Sequence, residues 1–255
     1  MTRNGLLLFS CALSLMATLP AESKEVVLAP TTPWNLDASD GGCALRRGFG
    51  DARRPLILEM RRFAPGDRFE FSLGGDQVKA FGSDIAIYYG DLTPEASHSV
   101  QRAKANRNEQ PPVDLVYTTS SLGPERDFSG VDLVTPEMEE SVHAIAVKSG
   151  GRSIRLETGS LGKPFAAMRQ CTAALVASWG LDERVQAGRL RQLRPLGQTQ
   201  WAPEIQKIYP LELAAKGMQA RVNVRILVDT DGKPTTAKFF VLTTTHSLTK
   251  SLATR

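Results

Sequence analysis

The period of the hydrophobic pattern is the feature that most constrains the fold of this chain. Before residue 158, apolar residues recur in short segments, several of them alternating with polar ones, and glycine, proline and aspartate bound these segments, as in half-buried strands. The period becomes helical over 164–179. One stripe of that segment holds Phe165, Met168, Cys171, Leu175 and Trp179. The pattern predicts an α+β fold with a β-rich first domain over 24–181, closed by an amphipathic helix.

Two hairpins are predicted within this domain. The first joins Leu56–Met60 to Arg68–Leu73 through a turn at Ala64–Asp67. The second joins Val142–Val147 to Arg152–Glu157 across a Gly-Gly pair, because glycine adopts the positive φ that tight turns need. The remaining strand candidates are Asp84–Tyr89 and Val113–Thr118.

Other segments lack a period and are predicted to be irregular. Ala29–Trp34 contains prolines, and Asp37–Cys43 contains paired glycines, so both are interpreted as an irregular lead-in to the domain. Ser97–Pro112 is polar without periodicity and is predicted to be a mobile loop. Residues 182–203 are polar, with interrupting glycines and prolines, and are predicted to be a linker.

The first residues have the composition of a cleavable export signal. Arg3 gives a small positive start, and the apolar stretch Leu6–Leu19 is shorter than the roughly 20 residues that span a bilayer. We therefore predict a signal peptide over 1–23 and a periplasmic mature protein with no stable membrane span. Cleavage after Ser23 fits the small-residue rule better than cleavage after Ala21. An uncleaved anchor in the inner membrane, facing the periplasm, is the alternative.

Export leaves two of the three cysteines, Cys43 and Cys171. An even number of thiols in an oxidising compartment, with no Cys or His nearby, predicts one disulfide. The bond would close a loop of roughly 130 residues and stabilise the fold by about 4 to 5 kcal/mol in the chain-entropy treatment. Two unpaired buried thiols are the alternative.

Charge and motifs argue against several classes of protein. The net charge is +4 and the basic residues are dispersed, so no nucleic-acid partner is predicted. His98, His143 and His246 have no second ligand at a metal-binding spacing, so no metal or other cofactor is predicted. Nucleophile-elbow, phosphate-loop and dinucleotide motifs are absent from the sequence. We therefore predict that the protein is not an enzyme, with an unrecognised periplasmic hydrolase as the alternative.

A second unit, a short helix and a β-hairpin, is predicted over 204–255. Its elements are Tyr209-Pro210, the helical run Leu211–Lys216, Gly217, the strand Val222–Val228, the turn Asp229–Gly232 and the strand Thr235–Leu242. This order resembles the C-terminal domain of the TonB family over about residues 201–252. That domain continues through a longer helix and a last strand, whereas only a stub of the helix fits into Ser247–Arg255, so we expect an incomplete TonB-like domain.

The resemblance implies a binding role for this tail. TonB C-terminal domains bind short extended segments of outer-membrane receptors by adding a strand to a sheet edge, so the expected partner is such a receptor peptide or another envelope protein. The residues expected to take part are Tyr209, Pro210, Val222, Val224, Phe239 and Val241.

The sequence therefore predicts a periplasmic binding or envelope-interaction protein, of unspecified oligomeric state. An energy-transducing accessory of TonB-dependent outer-membrane transport is an alternative function. For the tail itself, the alternative to binding a partner is packing against its own first domain or partial disorder, because an isolated hairpin is marginally stable in water.

Overall fold

The structure is a computed structural model that describes residues 25–39, 41–92, 97–107, 110–123, 134–183, 186, 195–207, 211–215 and 222–241. The predicted signal peptide lies outside these residues. Strands and helices are mixed along the chain and the strands form several sheets, so the α+β fold class is confirmed.

A six-stranded antiparallel sheet forms one layer of the fold, with the strand order β2-β3-β4-β5-β9-β8. On its inner face Leu45, Met60 and Phe71 lie side by side in register and are buried. Its strands are β2 (Asn35–Ser39), β3 (Gly42–Phe49), β4 (Leu56–Arg62), β5 (Phe69–Gly74), β8 (Gln101–Arg107) and β9 (Gln110–Ser120).

A five-stranded sheet forms the other layer, with the order β1-β11-β10-β6-β7. Its strands are β1 (Glu25–Leu28), β6 (Asp84–Tyr89), β7 (His98–Ser99), β10 (Ile145–Ser149) and β11 (Arg152–Leu156). The edge strand β1 runs parallel to β11, and the other pairs are antiparallel. The predicted turn between β10 and β11 contains Gly150 at φ +57°, a conformation that glycine adopts without strain.

Short helices and one long helix complete the described chain. They are a 3₁₀ helix (Asp76–Ala80), α1 (Pro136–Ser141), α2 (Gly162–Ser178), α3 (Gln198–Lys207) and α4 (Leu211–Ala215). Helix α2 is the predicted amphipathic helix: Phe165, Met168 and Leu175 from its stripe are buried. It ends before Gly180, whose φ of +75° suits the residue just past a helix end.

The two sheets and α2 share one hydrophobic core. Phe69 of β5 meets Tyr89 of β6 and Phe165 of α2 edge to face, with ring centres 6.1 and 5.7 Å apart. The Tyr89 hydroxyl also forms a 2.8 Å hydrogen bond with the Ser120 hydroxyl of β9. One aromatic cluster therefore links both sheets to the helix, and such edge-to-face pairs add about 0.5 to 1.5 kcal/mol each beyond the area they bury.

The predicted disulfide is present. Cys43 on β3 and Cys171 on α2 are bonded, with their Cα atoms 6.1 Å apart. Cys43 is 1% exposed, so the bond reaches into the core from the six-stranded sheet. It ties α2 to a strand 128 residues earlier in the chain.

The prediction of a mobile loop over Ser97–Pro112 is wrong. This segment contains β7 and β8 and the start of β9, and β8 pairs with β9 at the edge of the six-stranded sheet. An edge strand has a partner on one side only and can remain polar on both faces. The backbone pairing is therefore not marked by hydrophobic alternation in the sequence.

The irregular lead-in and the linker also require correction. Asp37–Cys43 contributes to the β2–β3 hairpin, in which Ser39 pairs with Gly42. The predicted linker 182–203 overlaps α3, which begins at Gln198 and contains Pro203. The strand β3 pairs with β2 on one side and β4 on the other, so it forms despite its glycines. Pro203 lies inside α3, where the sequence pattern predicts a break.

The second predicted unit contains a two-stranded antiparallel sheet of β12 (Val222–Val228) and β13 (Pro234–Val241). These bounds agree closely with the predicted strands. None of the helices within the described ranges is long and apolar enough to cross a membrane.

Candidate peptide-binding groove

The outer edge of β12 is the main feature of the C-terminal hairpin. β12 pairs with β13 on one side, and no strand among the described residues pairs with it on the other. In an antiparallel pair, half of each strand's amides and carbonyls point away from the partner. That edge can therefore accept a further strand.

Side chains along β12 alternate in exposure, as the sequence predicts for a strand with two different faces. Asn223, Arg225 and Leu227 are half-buried. Val224 and Ile226 are 45% and 53% exposed. The first set faces the body of the protein, and the second set faces outward.

A groove of about 340 Å³ runs between β12 and the first domain. Its opposite wall combines the β4–β5 turn with the end of α2, two segments far apart in the chain. The wall residues are Gly41, Phe63, Ala64, Pro65, Val176, Trp179, Leu181 and Gln186, and Asn223–Val228 line the β12 side. Most of the opposite wall is apolar, so an extended chain lying beside β12 would also bury side chains there.

One contact positions β12 against α2. The guanidinium carbon of Arg225 lies 4.0 Å from the centre of the Trp179 ring, within the range of a cation–π interaction. Trp179 follows directly after α2, whose orientation is fixed by the core and by the Cys43–Cys171 bond. The disulfide-anchored helix therefore carries one wall of the groove.

The groove has few polar side chains. Arg225 is the only ionisable group among the described lining residues. The Nδ2 atom of Asn223 is buried and has no hydrogen-bond acceptor among the described residues. A buried donor without an acceptor costs about 1 to 3 kcal/mol, so a ligand carbonyl or carboxylate placed beside Asn223 would remove that cost.

The structure brings together four of the six predicted binding positions. The register places Val222 opposite Val241 and Val224 opposite Phe239, two cross-strand pairs on the same face of the hairpin with one pair between them. Val224 is exposed on the outward face. Tyr209 and Pro210, the other two predicted residues, lie outside the described residues.

The sequence reasoning missed the opposite wall. Trp179 was interpreted as part of a core stripe, yet it is only partly buried and faces Arg225. Pro65 belongs to the predicted hairpin turn Ala64–Asp67, and Phe63 directly precedes it. The sequence feature that could have indicated this wall is the position of Trp179 at the end of the apolar stripe. A helix that extends beyond the edge of the core leaves its last apolar residue partly exposed.

Groups that could hold a metal ion were sought among the described residues. No group of three or more His, Cys, Asp or Glu side chains within the described ranges could hold a metal ion. The groove itself contains one cation and no acid or nucleophile among its described lining residues. Its geometry suits binding.

The fold and the groove together define a disulfide-containing α+β protein with a free strand edge beside an apolar wall. No protein family, curated protein or solved structure matches this chain in the comparisons made. The resemblance to the TonB C-terminal domain therefore rests on the residues that carry it and stays a prediction.

Proposed function

We propose that this chain is a periplasmic, non-catalytic protein that binds an extended segment of another envelope protein by strand addition to β12. The observation that carries the proposal is the free edge of β12 beside the groove. Free edges recruit extended chains because backbone hydrogen bonds supply affinity and side-chain pockets supply specificity.

In this mode the peptide lies between β12 and the apolar wall. Its backbone pairs with the outward amides and carbonyls of β12, and its alternate side chains pack on Phe63, Pro65 and Trp179. A peptide with apolar residues at every second position fits this wall. An outer-membrane receptor segment is the partner that the TonB-like element order favours.

The periplasmic location is supported by two features of the chain. The first 23 residues have the pattern of an export signal. The Cys43–Cys171 bond is of a kind that persists in oxidising compartments and is rare in the cytosol.

An array of short peptides from outer-membrane receptors, probed with the whole purified chain, tests the proposal. Binding of each selected peptide is then measured by fluorescence anisotropy for the wild type and two tryptophan variants. Trp179→Ala removes a wall of the groove and should weaken binding by about tenfold or more, as loss of a buried aromatic anchor does. Trp201→Ala is the matched control, because Trp201 lies on α3 and does not line the groove.

Equal weakening by both variants would place the binding surface elsewhere. Absence of any binding peptide from the array would reject strand addition to receptor segments.

A further inference from the structure

A second cleft opens where the apolar face of the five-stranded sheet extends past its cover. Val26, Ile154, Val147 and Ile87 lie side by side in one row across β1, β11, β10 and β6. Their exposed fractions are 52%, 7%, 0% and 0%. The core-facing side of the sheet therefore continues to β1, but the described residues leave its apolar surface at Val26 exposed.

This cleft has a volume of about 620 Å³ and shares no lining residue with the β12 groove. Val26, Leu28 and Ile154 provide apolar surface from the sheet. The 3₁₀ helix faces them. It contributes Asp76, Gln77 and Ala80. The start of β11 and the turn before it contribute Gly151, Arg152 and Ser153. The volume lies within the roughly 300 to 1,000 Å³ typical of small-molecule sites.

Two polar groups of the cleft lack partners. Arg152 is exposed, and no described residue forms a hydrogen bond or ion pair with its guanidinium. The Oε1 atom of Gln77 is buried and accepts no hydrogen bond. A buried acceptor without a donor costs about 1 to 3 kcal/mol. The cleft therefore offers a free cation and an acceptor that needs a donor.

The carboxylate of Asp76, which lines the cleft, is already paired with a cation. The Asp76 carboxylate accepts a 2.6 Å hydrogen bond from Lys79 and lies 4.0 Å from Arg54. The hydrogen bond from Lys79 lowers the pKa of Asp76, so the group is ionised and paired at neutral pH. Among the described lining residues, Arg152 is left as the unpaired charge of the cleft.

We propose that this cleft binds a single-chain amphiphile whose head combines an anion with a hydrogen-bond donor, the chemistry of an N-acyl amino acid. The alkyl chain lies on Val26, Leu28 and Ile154 and covers their exposed surface. The carboxylate pairs with Arg152. The amide N–H donates to Gln77 Oε1, which removes the unsatisfied acceptor.

Isothermal titration of the whole chain with N-dodecanoylglycine, below its micelle concentration, tests the proposal. The comparison ligands are dodecanoate, which lacks the amide donor, and dodecyltrimethylammonium, which carries the opposite charge. The expected order of affinity is N-dodecanoylglycine, then dodecanoate, then the ammonium compound. A charge-assisted contact and a satisfied acceptor each correspond to about tenfold.

Variants locate the site. Arg152→Gln should weaken N-dodecanoylglycine binding by about tenfold. Arg155→Gln is the matched control, because Arg155 lies on the same strand but is not a lining residue and pairs with Glu157 at 2.7 Å. Ala80→Trp places a large ring in the cleft at an exposed position and should abolish binding.

Three outcomes would overturn the proposal. The first is absence of binding by N-dodecanoylglycine, and the second is equal affinity for the ammonium compound. The third is equal loss of binding in Arg152→Gln and Arg155→Gln. None of them bears on peptide binding at β12, which the tryptophan variants test separately.

Discussion

The guanidinium carbon of Arg225 lies 4.0 Å from the centre of the Trp179 ring, and this contact joins the C-terminal hairpin to the helix of the first domain. Trp179 directly follows α2, and α2 is bonded to β3 through Cys171. This cation–π pair therefore connects β12 to the opposite wall of the groove.

A double-mutant cycle on this pair should give a coupling free energy of about 0.5 to 1 kcal/mol, as expected for a partly exposed cation–π contact. The free energy of unfolding of Trp179→Ala, Arg225→Ala and the double variant is measured by urea denaturation. Trp179→Ala combined with Arg155→Ala is the control cycle, which should be additive within about 0.5 kcal/mol. A zero coupling for Trp179 and Arg225 would mean that the hairpin does not dock there in solution.

Removal of the disulfide should destabilise the fold strongly. Cys43→Ala with Cys171→Ala opens a loop of 128 residues, and the chain-entropy treatment assigns such a loop about 5 kcal/mol. Urea denaturation gives the difference. A reductant should lower the midpoint of the wild type and leave that of the double variant unchanged. An unaltered midpoint in the variant would contradict a structural role for the bond.

The pair between Glu139 and Arg169 should stabilise the contact of α1 with α2. The Glu139 side chain is 2% exposed, and its carboxylate accepts a hydrogen bond from Arg169, which is 41% exposed. Arg169→Ala leaves a buried carboxylate without its cation. The cost should be about 2 kcal/mol, below the 3 to 5 kcal/mol of a fully buried pair because solvent screens Arg169.

Thermal or urea unfolding of Arg169→Ala measures this cost. Lys163→Ala serves as the control, since Lys163 is an exposed residue of the same helix without a pairing contact in the structure. If both variants unfold at the same midpoint, the pair contributes nothing to stability.

Acid should weaken the attachment of β7 to β6 through Asp84. Its carboxylate accepts hydrogen bonds from the hydroxyls of Ser83 at 2.6 Å and Ser99 at 2.8 Å, and these bonds lower the pKa of Asp84. Because this pKa is lowered, the ionised carboxylate stabilises the fold at pH values above the ordinary Asp pKa of about 4. The stabilisation is lost as the pH falls through the folded-state pKa.

The wild type should therefore lose stability relative to Asp84→Asn as the pH is lowered from about 5 to 2. Urea midpoints at several pH values measure the difference. Parallel curves for the two proteins over this range would show that the carboxylate is not stabilised in the fold.

Elements with a local signal were predictable from the sequence. The β10–β11 and β12–β13 hairpins have turn glycines between alternating strands, and α2 has both a stripe and a glycine just past its end. Each signal lies within the residues of the element itself. These elements therefore needed no knowledge of the rest of the fold.

Elements whose own residues carry no hydrophobic pattern, and sites built from separate segments, were not predictable. β8 is a polar edge strand, and its pairing with β9 supplies the regularity that its composition lacks. The groove is a stronger case, because Phe63, Trp179 and Arg225 come together only after the core and the disulfide have formed. The strand β12 could be predicted from its own residues, but the wall opposite it could not.

Hydrogen exchange followed by mass spectrometry tests the central claim most directly. The whole chain is compared alone and with a peptide selected from the receptor array, and protection is read for Val222–Val228 and for Glu25–Leu28, the edge strand of the other sheet. Strand addition predicts that the amides of β12 become protected while those of β1 are unchanged. Protection that spares β12 would contradict the account.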